Sequence, residues 1–195
     1  DKFSKIYLLM GEETFFIDKI SNFFENEFID KSQRGFNQEI YYGKDSSISK
    51  ILNSCKSFPM MSDKKLVIVK EAKELDIFKN KNNPSLENFI EYINKPNSTT
   101  TLVFCLKNKK LDKRSKIYKS IQKNAVVLDT ESKENKIYDN QIPRWISKEV
   151  KDNGYSINDD ATFLISENIG NNLVKITNAL EKIYINKTNK IIDIK

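Results

Sequence analysis

Four short runs of the chain are apolar at every position: Ile6-Tyr7-Leu8-Leu9-Met10, Leu66-Val67-Ile68-Val69, Leu102-Val103-Phe104-Cys105-Leu106 and Val126-Val127-Leu128. Unbroken apolarity over four or five residues marks a strand covered on both faces, as in a parallel sheet under helices. Residues 36–42 differ, because Phe36, Ile40 and Tyr42 share one parity with Gln38, while Asn37, Glu39 and Tyr41 take the other. That alternation predicts an edge strand.

Between these runs the spacing changes to that of helices. Phe16, Ile20, Phe23, Phe24 and Phe28 form one predicted stripe. Residues 47–56 turn Ile48, Ile51, Leu52 and Cys55 inward. Residues 85–95 begin at Ser85, an N-cap after Pro84, and bury Leu86, Phe89, Ile90 and Ile93. Residues 112–123 bury Ile117, Tyr118 and Ile121. Strands alternating with helices predict βαβ units in a three-layer α/β domain with a mainly parallel five-stranded sheet.

After about residue 136 the strand signals stop. Ile142, Trp145, Ile146 and Val150 predict one helix, ended by Asn153-Gly154. Asn158 caps a second, with Ala161, Leu164, Ile165 and Ile169 inward and Gly170 at its close. Leu173, Ile176, Leu180, Ile183 and Tyr184 predict a third. The expected organisation is an α/β domain over 1–136 and a small all-α, three-helix domain over 137–195. The stretch Lys79-Asn80-Lys81-Asn82-Asn83 reads as a flexible surface loop.

Composition narrows the chemistry. The 195 residues contain no histidine, which removes histidine-based triads, Cys-His pairs and histidine-ligated zinc. Cys55 and Cys105 sit in apolar contexts without a CxxC, as buried thiols in a reducing, cytoplasmic compartment would. No apolar run approaches the roughly 20 residues of a membrane span, and no secretory signal opens the chain. The chain begins at Asp1 and reads as an excised piece. Its formal net charge is +6. Lys107 to Lys123 holds eight basic residues and one acidic one, so the rest is near neutral and the basic character is local.

The first strand breaks at Gly11 and runs into a helix, the junction where a nucleotide-binding domain carries its phosphate loop. A phosphate loop needs several glycines, a lysine and a Ser or Thr. Here Gly11 is followed by Glu12, Glu13 and Thr14. Carboxylates there suit the helix dipole and would repel a triphosphate. Consecutive helix positions diverge, so the pair reads as capping rather than a metal site. No cofactor and no catalytic activity are expected.

Two segments are candidates for binding. Phe58-Pro59-Met60-Met61 puts four apolar residues in a connection, where loops ordinarily run polar over the surface. They either cover the end of the sheet or stay exposed for a partner, with methionine suited to repacking. Lys107, Lys109, Lys110, Lys113 and Arg114 follow a strand end and could meet DNA phosphates. A solvated helix face is the preferred reading, since no aromatic is spare to stack on bases.

With these segments in order, the chain resembles the delta subunit of the bacterial clamp loader, the DNA polymerase III delta family. The likeness runs through Tyr7 to Ile20 (YLLMGEETFFIDKI), Ser57 to Leu75 (SFPMMSDKKLVIVKEAKEL), Thr101 to Ile121 (TLVFCLKNKKLDKRSKIYKSI), Pro143 to Ile146, and Gly170 to Ile183 (GNNLVKITNALEKI). The resemblance implies an AAA+-like α/β domain followed by a helical lid domain. It implies a protein that does not hydrolyse ATP but binds the ring-shaped sliding clamp, the beta subunit, and holds one of its interfaces open. In that family the contact falls on the loop matching Phe58, Pro59, Met60 and Met61. Where some members carry Leu-Phe, this chain carries Met60-Met61, apolar but without the ring. The implied further partners are other loader subunits in the full-length protein and DNA within the assembled complex, with no membrane. The family's C-terminal collar domain is not within these 195 residues.

Overall fold

Leu8 and Leu9 are adjacent on one strand and point to opposite faces, and both are fully buried. This is why the runs 6–10, 66–69 and 102–106 are apolar at every position, whereas Val126 of the fourth run is exposed. The computed structural model describes residues 3–80, 82–186 and 189–194. The chain divides into two units, residues 1–135 and 136–195.

In chain order, the first unit contains β1 (Ile6–Gly11), α1 (Thr14–Glu27), α2 (Arg34–Asn37), β2 (Gln38–Tyr42), α3 (Ile48–Lys56), β3 (Lys65–Lys70), α4 (Asp76–Lys79), α5 (Leu86–Asn94), β4 (Thr100–Lys107), α6 (Lys116–Asn124) and β5 (Val126–Asp129). The strands form one sheet in the order β2-β3-β4-β1-β5. Every pairing is parallel, with Ile6 opposite Leu102, Tyr7 opposite Val126, Gln38 opposite Leu66 and Lys65 opposite Thr100.

Each face of the sheet has its own core. Ile6, Leu8, Met10, Val67, Val69, Leu102, Phe104 and Leu106 pack against α3, α5 and α6 through Ile51, Phe89, Ile93, Ile117 and Ile121. Leu9, Leu66, Ile68, Val103 and Cys105 pack against Ile17 and Phe24 of α1 and the following Ile29. The α/β class and the parallel five-stranded sheet are therefore those the apolar runs predict.

Several local expectations change. Phe36 and Asn37 belong to α2, not to the edge strand, which begins at Gln38. In α1 the buried residues are Phe15, Ile17, Ser21 and Phe24, so the inward stripe is rotated from the predicted one. Phe23 is exposed and stacks on Phe3 with centroids 6.2 Å apart. Ser47 and Ser115 cap α3 and α6 through their side chains, whereas Ser85 precedes α5 without a side-chain cap. Of the Lys/Asn-rich stretch, Lys79 ends α4 and Lys81 lies outside the described residues.

The second unit holds α7 (Ile142–Asp152), β6 (Ser156–Ile157), α8 (Asp159–Ile169), α9 (Leu173–Asn186) and β7 (Ile191–Ile192). Asn158 caps α8 by accepting from the Ala161 amide at 2.8 Å. Ile142, Ile146, Val150, Ala161, Leu173, Ile176 and Leu180 are buried, while Leu164 is exposed. The three predicted helices are joined by a feature the periodicity does not announce, the short parallel pair β6–β7. Two residues per strand are too few to show a period.

Candidate functional site

The connection between α3 and β3 turns its apolar side chains outward. Phe58 is 79 % exposed, Met60 59 % and Met61 99 %, and Pro59 is half-buried. Exposed apolar side chains gain nothing from water, so the backbone beneath them has to be held by polar contacts. Asn37, fully buried, does this at the centre of the loop. Its Oδ1 accepts from the Met60 amide at 2.6 Å, and its Nδ2 donates to the Met60 carbonyl at 2.8 Å.

The loop's root is fixed as well. Asn97 Nδ2 donates to the Cys55 and Lys56 carbonyls, each at 3.4 Å. Ser57 Oγ donates to the Ser54 carbonyl at 2.8 Å and accepts from Lys65 Nζ at 2.6 Å. Lys65 is buried and also pairs with Glu39 at 2.6 Å. At the loop's far side Met61 has φ 51°, in the left-handed region that costs a non-glycine residue about 1 kcal/mol. Lys64 then reaches over the Phe28 ring, 5.5 Å from its centroid.

Burial raises the pKa of Glu39, but hydrogen bonds from Lys65 and Tyr41 outweigh it and hold the carboxyl below its ordinary 4.5. A depressed carboxylate pKa stabilises the fold above the unfolded value and is lost as pH falls through the folded one. The side chain is over a third exposed, so solvent screens the pair. A Tm gap between wild type and Glu39→Gln is expected at pH 7. It should narrow below pH 4.5 and close as Glu39 protonates. Thermal scans across the acid range check this; a constant gap would contradict it. Cys55, beneath the same loop, has its thiol pushed up to about 12 by burial, so it is an inert core group.

The basic candidates stand differently. Lys107 pairs with Asp18, and Lys110 pairs with Glu131 and lies 3.8 Å from Asp129. Lys113 lies 3.4 Å from Asp129, and Arg114 lies 3.1 Å from Asp112. Lys109 donates to the Phe78 carbonyl at 3.0 Å. All five are thus engaged with their own chain.

At the β1–α1 junction Gly11 has φ 126°, and a Cβ there would lie 2.1 Å from Thr130 Oγ1. Glu13 caps α1 by accepting from the Phe15 amide at 3.0 Å, and Glu131 accepts from the Glu12 amide at 2.9 Å. Two amides at this junction, those of Glu12 and Phe15, are thus taken by carboxylates of the chain itself.

Sequence reasoning found the loop but not its supports. Asn37 falls in the alternating stretch on the parity opposite to Ile40, and a lysine such as Lys65 is rarely buried. Neither carries a local signal, since their partners are 23 and 26 residues away in Met60 and Glu39.

The family model for the DNA polymerase III delta subunit matches residues 7–131. The DNA polymerase III subunit delta of Bacillus subtilis is 27 % identical over 129 residues, covering 64 % of this chain and 36 % of that protein. The solved structure of the Bacillus subtilis DNA clamp loader delta protein superposes with a TM-score of 0.75 at 20 % identity. It covers 98 % of this chain and 56 % of its own. The chain thus spans between about a third and somewhat over half of these relatives' lengths. With a parallel α/β sheet of matching fold and a family model covering more than half of its residues, the chain belongs to the DNA polymerase III delta-subunit family.

Proposed function

We propose that this chain binds a ring-shaped sliding clamp through Phe58, Pro59, Met60 and Met61 and holds one interface of the ring open during replication, without hydrolysing a nucleotide. The observation that carries the reading is the solvent-facing apolar loop on a backbone gripped by Asn37. A protein opens a ring by binding the open interface better than the closed one, and it shifts the equilibrium only by that difference. Burying each such side chain contributes about 1.5–3 kcal/mol before ordering costs. A few central residues dominate interfaces of this kind, and Met60 and Met61 are the choice here.

The self-capped start of α1 supports a role without nucleotide chemistry. The internal pairing of Lys107, Lys110, Lys113 and Arg114 supports the solvated reading of the basic stretch. Any DNA contact then belongs to the assembled complex with the other loader subunits, in the cytoplasm. Among the described residues no helix is long and apolar enough to cross a membrane.

The test is surface plasmon resonance with the sliding clamp of the source organism, and with plain duplex DNA as the second probe. Saturable clamp binding that survives added salt is expected, because apolar burial is not screened. Binding to DNA alone, falling steeply with salt, would overturn the reading in favour of a nucleic-acid module.

A further inference from the structure

We propose that Asn37 is a positioning residue for docking: it presets the Met60 backbone in the geometry the partner receives. The inference rests on the clamp-docking reading and adds to it a residue outside the loop. Its basis is a mismatch between what the loop's side chains want and where they are. Four apolar residues in a short connection would lower their free energy by folding back onto the surface. Instead Met60 and Met61 face solvent, and Met61 holds a left-handed φ of 51°.

Something has to maintain that state, and the contacts identify it. Asn37 uses both the acceptor and the donor of its amide on one residue, Met60, across 23 positions of sequence. An amide that grips N–H and C=O of the same residue fixes its φ and ψ while leaving its side chain unconstrained. Gln33, one turn earlier, reaches the Met61 carbonyl at 3.5 Å, and Lys65 holds Ser57 at the loop's start. Each anchor falls on backbone or on a polar group, and none falls on the apolar side chains. A partner that meets a loop already in shape is spared the cost of ordering it, which is how preorganisation raises affinity.

The experiment measures clamp affinity, melting temperature and amide exchange for wild type, Asn37→Ala, Asn37→Asp and the double variant Met60→Asp with Met61→Asp. Asn37→Ala is expected to stay folded, to bind the clamp roughly ten- to hundredfold more weakly, and to exchange the Met60 amide faster while the β3 and β4 amides stay protected. Asn37→Asp keeps the acceptor for the Met60 amide but sets its second carboxylate oxygen against the Met60 carbonyl in a buried site, so a loss at least as large is expected. A residue serving only the fold would lower the melting temperature and leave the folded protein's affinity unchanged. Wild-type affinity in both Asn37 variants would therefore overturn the proposal, as would unfolding of both. If the double methionine variant still binds, the docking reading itself fails. If it does not bind while the Asn37 variants do, only the positioning role fails.

Discussion

Replacing Met60 and Met61 together by aspartate is expected to weaken clamp binding by at least about a hundredfold while shifting the melting temperature by no more than about 2 °C. The fold should tolerate the change for three reasons. Both side chains are already exposed, so little native burial is lost. The grip of Asn37 is on the Met60 backbone, which any residue supplies. The left-handed φ of 51° at Met61 is one that aspartate adopts more readily than most residues. At a docked interface the same change removes two apolar contacts, each contributing about 1.5–3 kcal/mol, and buries two charges that no designed partner awaits. A hundredfold corresponds to about 2.8 kcal/mol, so even the low end of that range suffices. Surface plasmon resonance reads the affinity, and circular dichroism with thermal melting reads the fold. Unfolding of the variant would mean that the methionines hold the molecule together. Unchanged affinity would mean that the partner docks elsewhere.

The loop was legible because neither period accommodates it. After Cys55 the helical stripe of α3 ends, and the strand pattern begins only at Leu66, so Phe58 to Met61 are apolar residues with no assigned face. Strands β1, β3 and β4 were legible because two cores demand apolar residues at odd and even positions alike. The phase of α1 was not. Phe15, Phe16, Phe23, Phe24 and Phe28 allow two stripes, and the choice between them is made by what the sheet and Phe3 offer. Tyr7 meets Phe24 at 4.8 Å, which draws Ile17, Ser21 and Phe24 inward and leaves Phe23 on the rim. The charge of the basic stretch was countable, but the pairing of some of its lysines with carboxylates outside it was not. Asp18 lies far before it in sequence, and Asp129 and Glu131 lie just beyond it, across β5. Asn37 was hidden for the same reason, because a buried amide gives no period and its worth depends on a backbone it meets only in three dimensions.

Truncating Phe104 to alanine is expected to have the opposite signature, a large loss of stability with the affinity of the folded protein kept. Phe104 is fully buried on β4, which pairs with β1 on one side and β3 on the other. Its ring meets Phe78 of α4 and Phe89 of α5 at 5.6 Å each, and those two meet at 6.0 Å, all nearly perpendicular. Edge-to-face contacts of this kind are worth about 0.5–1.5 kcal/mol beyond burial alone. Two helices and the sheet converge on one side chain, and none can close on the gap without breaking its other contacts. The expected cost is therefore in the usual range for a buried phenylalanine, about 3–5 kcal/mol. Against a typical stability of about 5–15 kcal/mol, this should lower the melting temperature by about 10 °C or more. Phe104→Leu should lose less than half as much, because most of the volume stays filled. Chemical denaturation at fixed temperature measures both. A loss below about 1 kcal/mol for the alanine variant would mean that the cluster collapses to fill its own cavity. Clamp affinity measured well below the new melting temperature should match wild type, because the loop's anchors, Asn37, Asn97 and Lys65, are polar groups that the ring cluster does not supply.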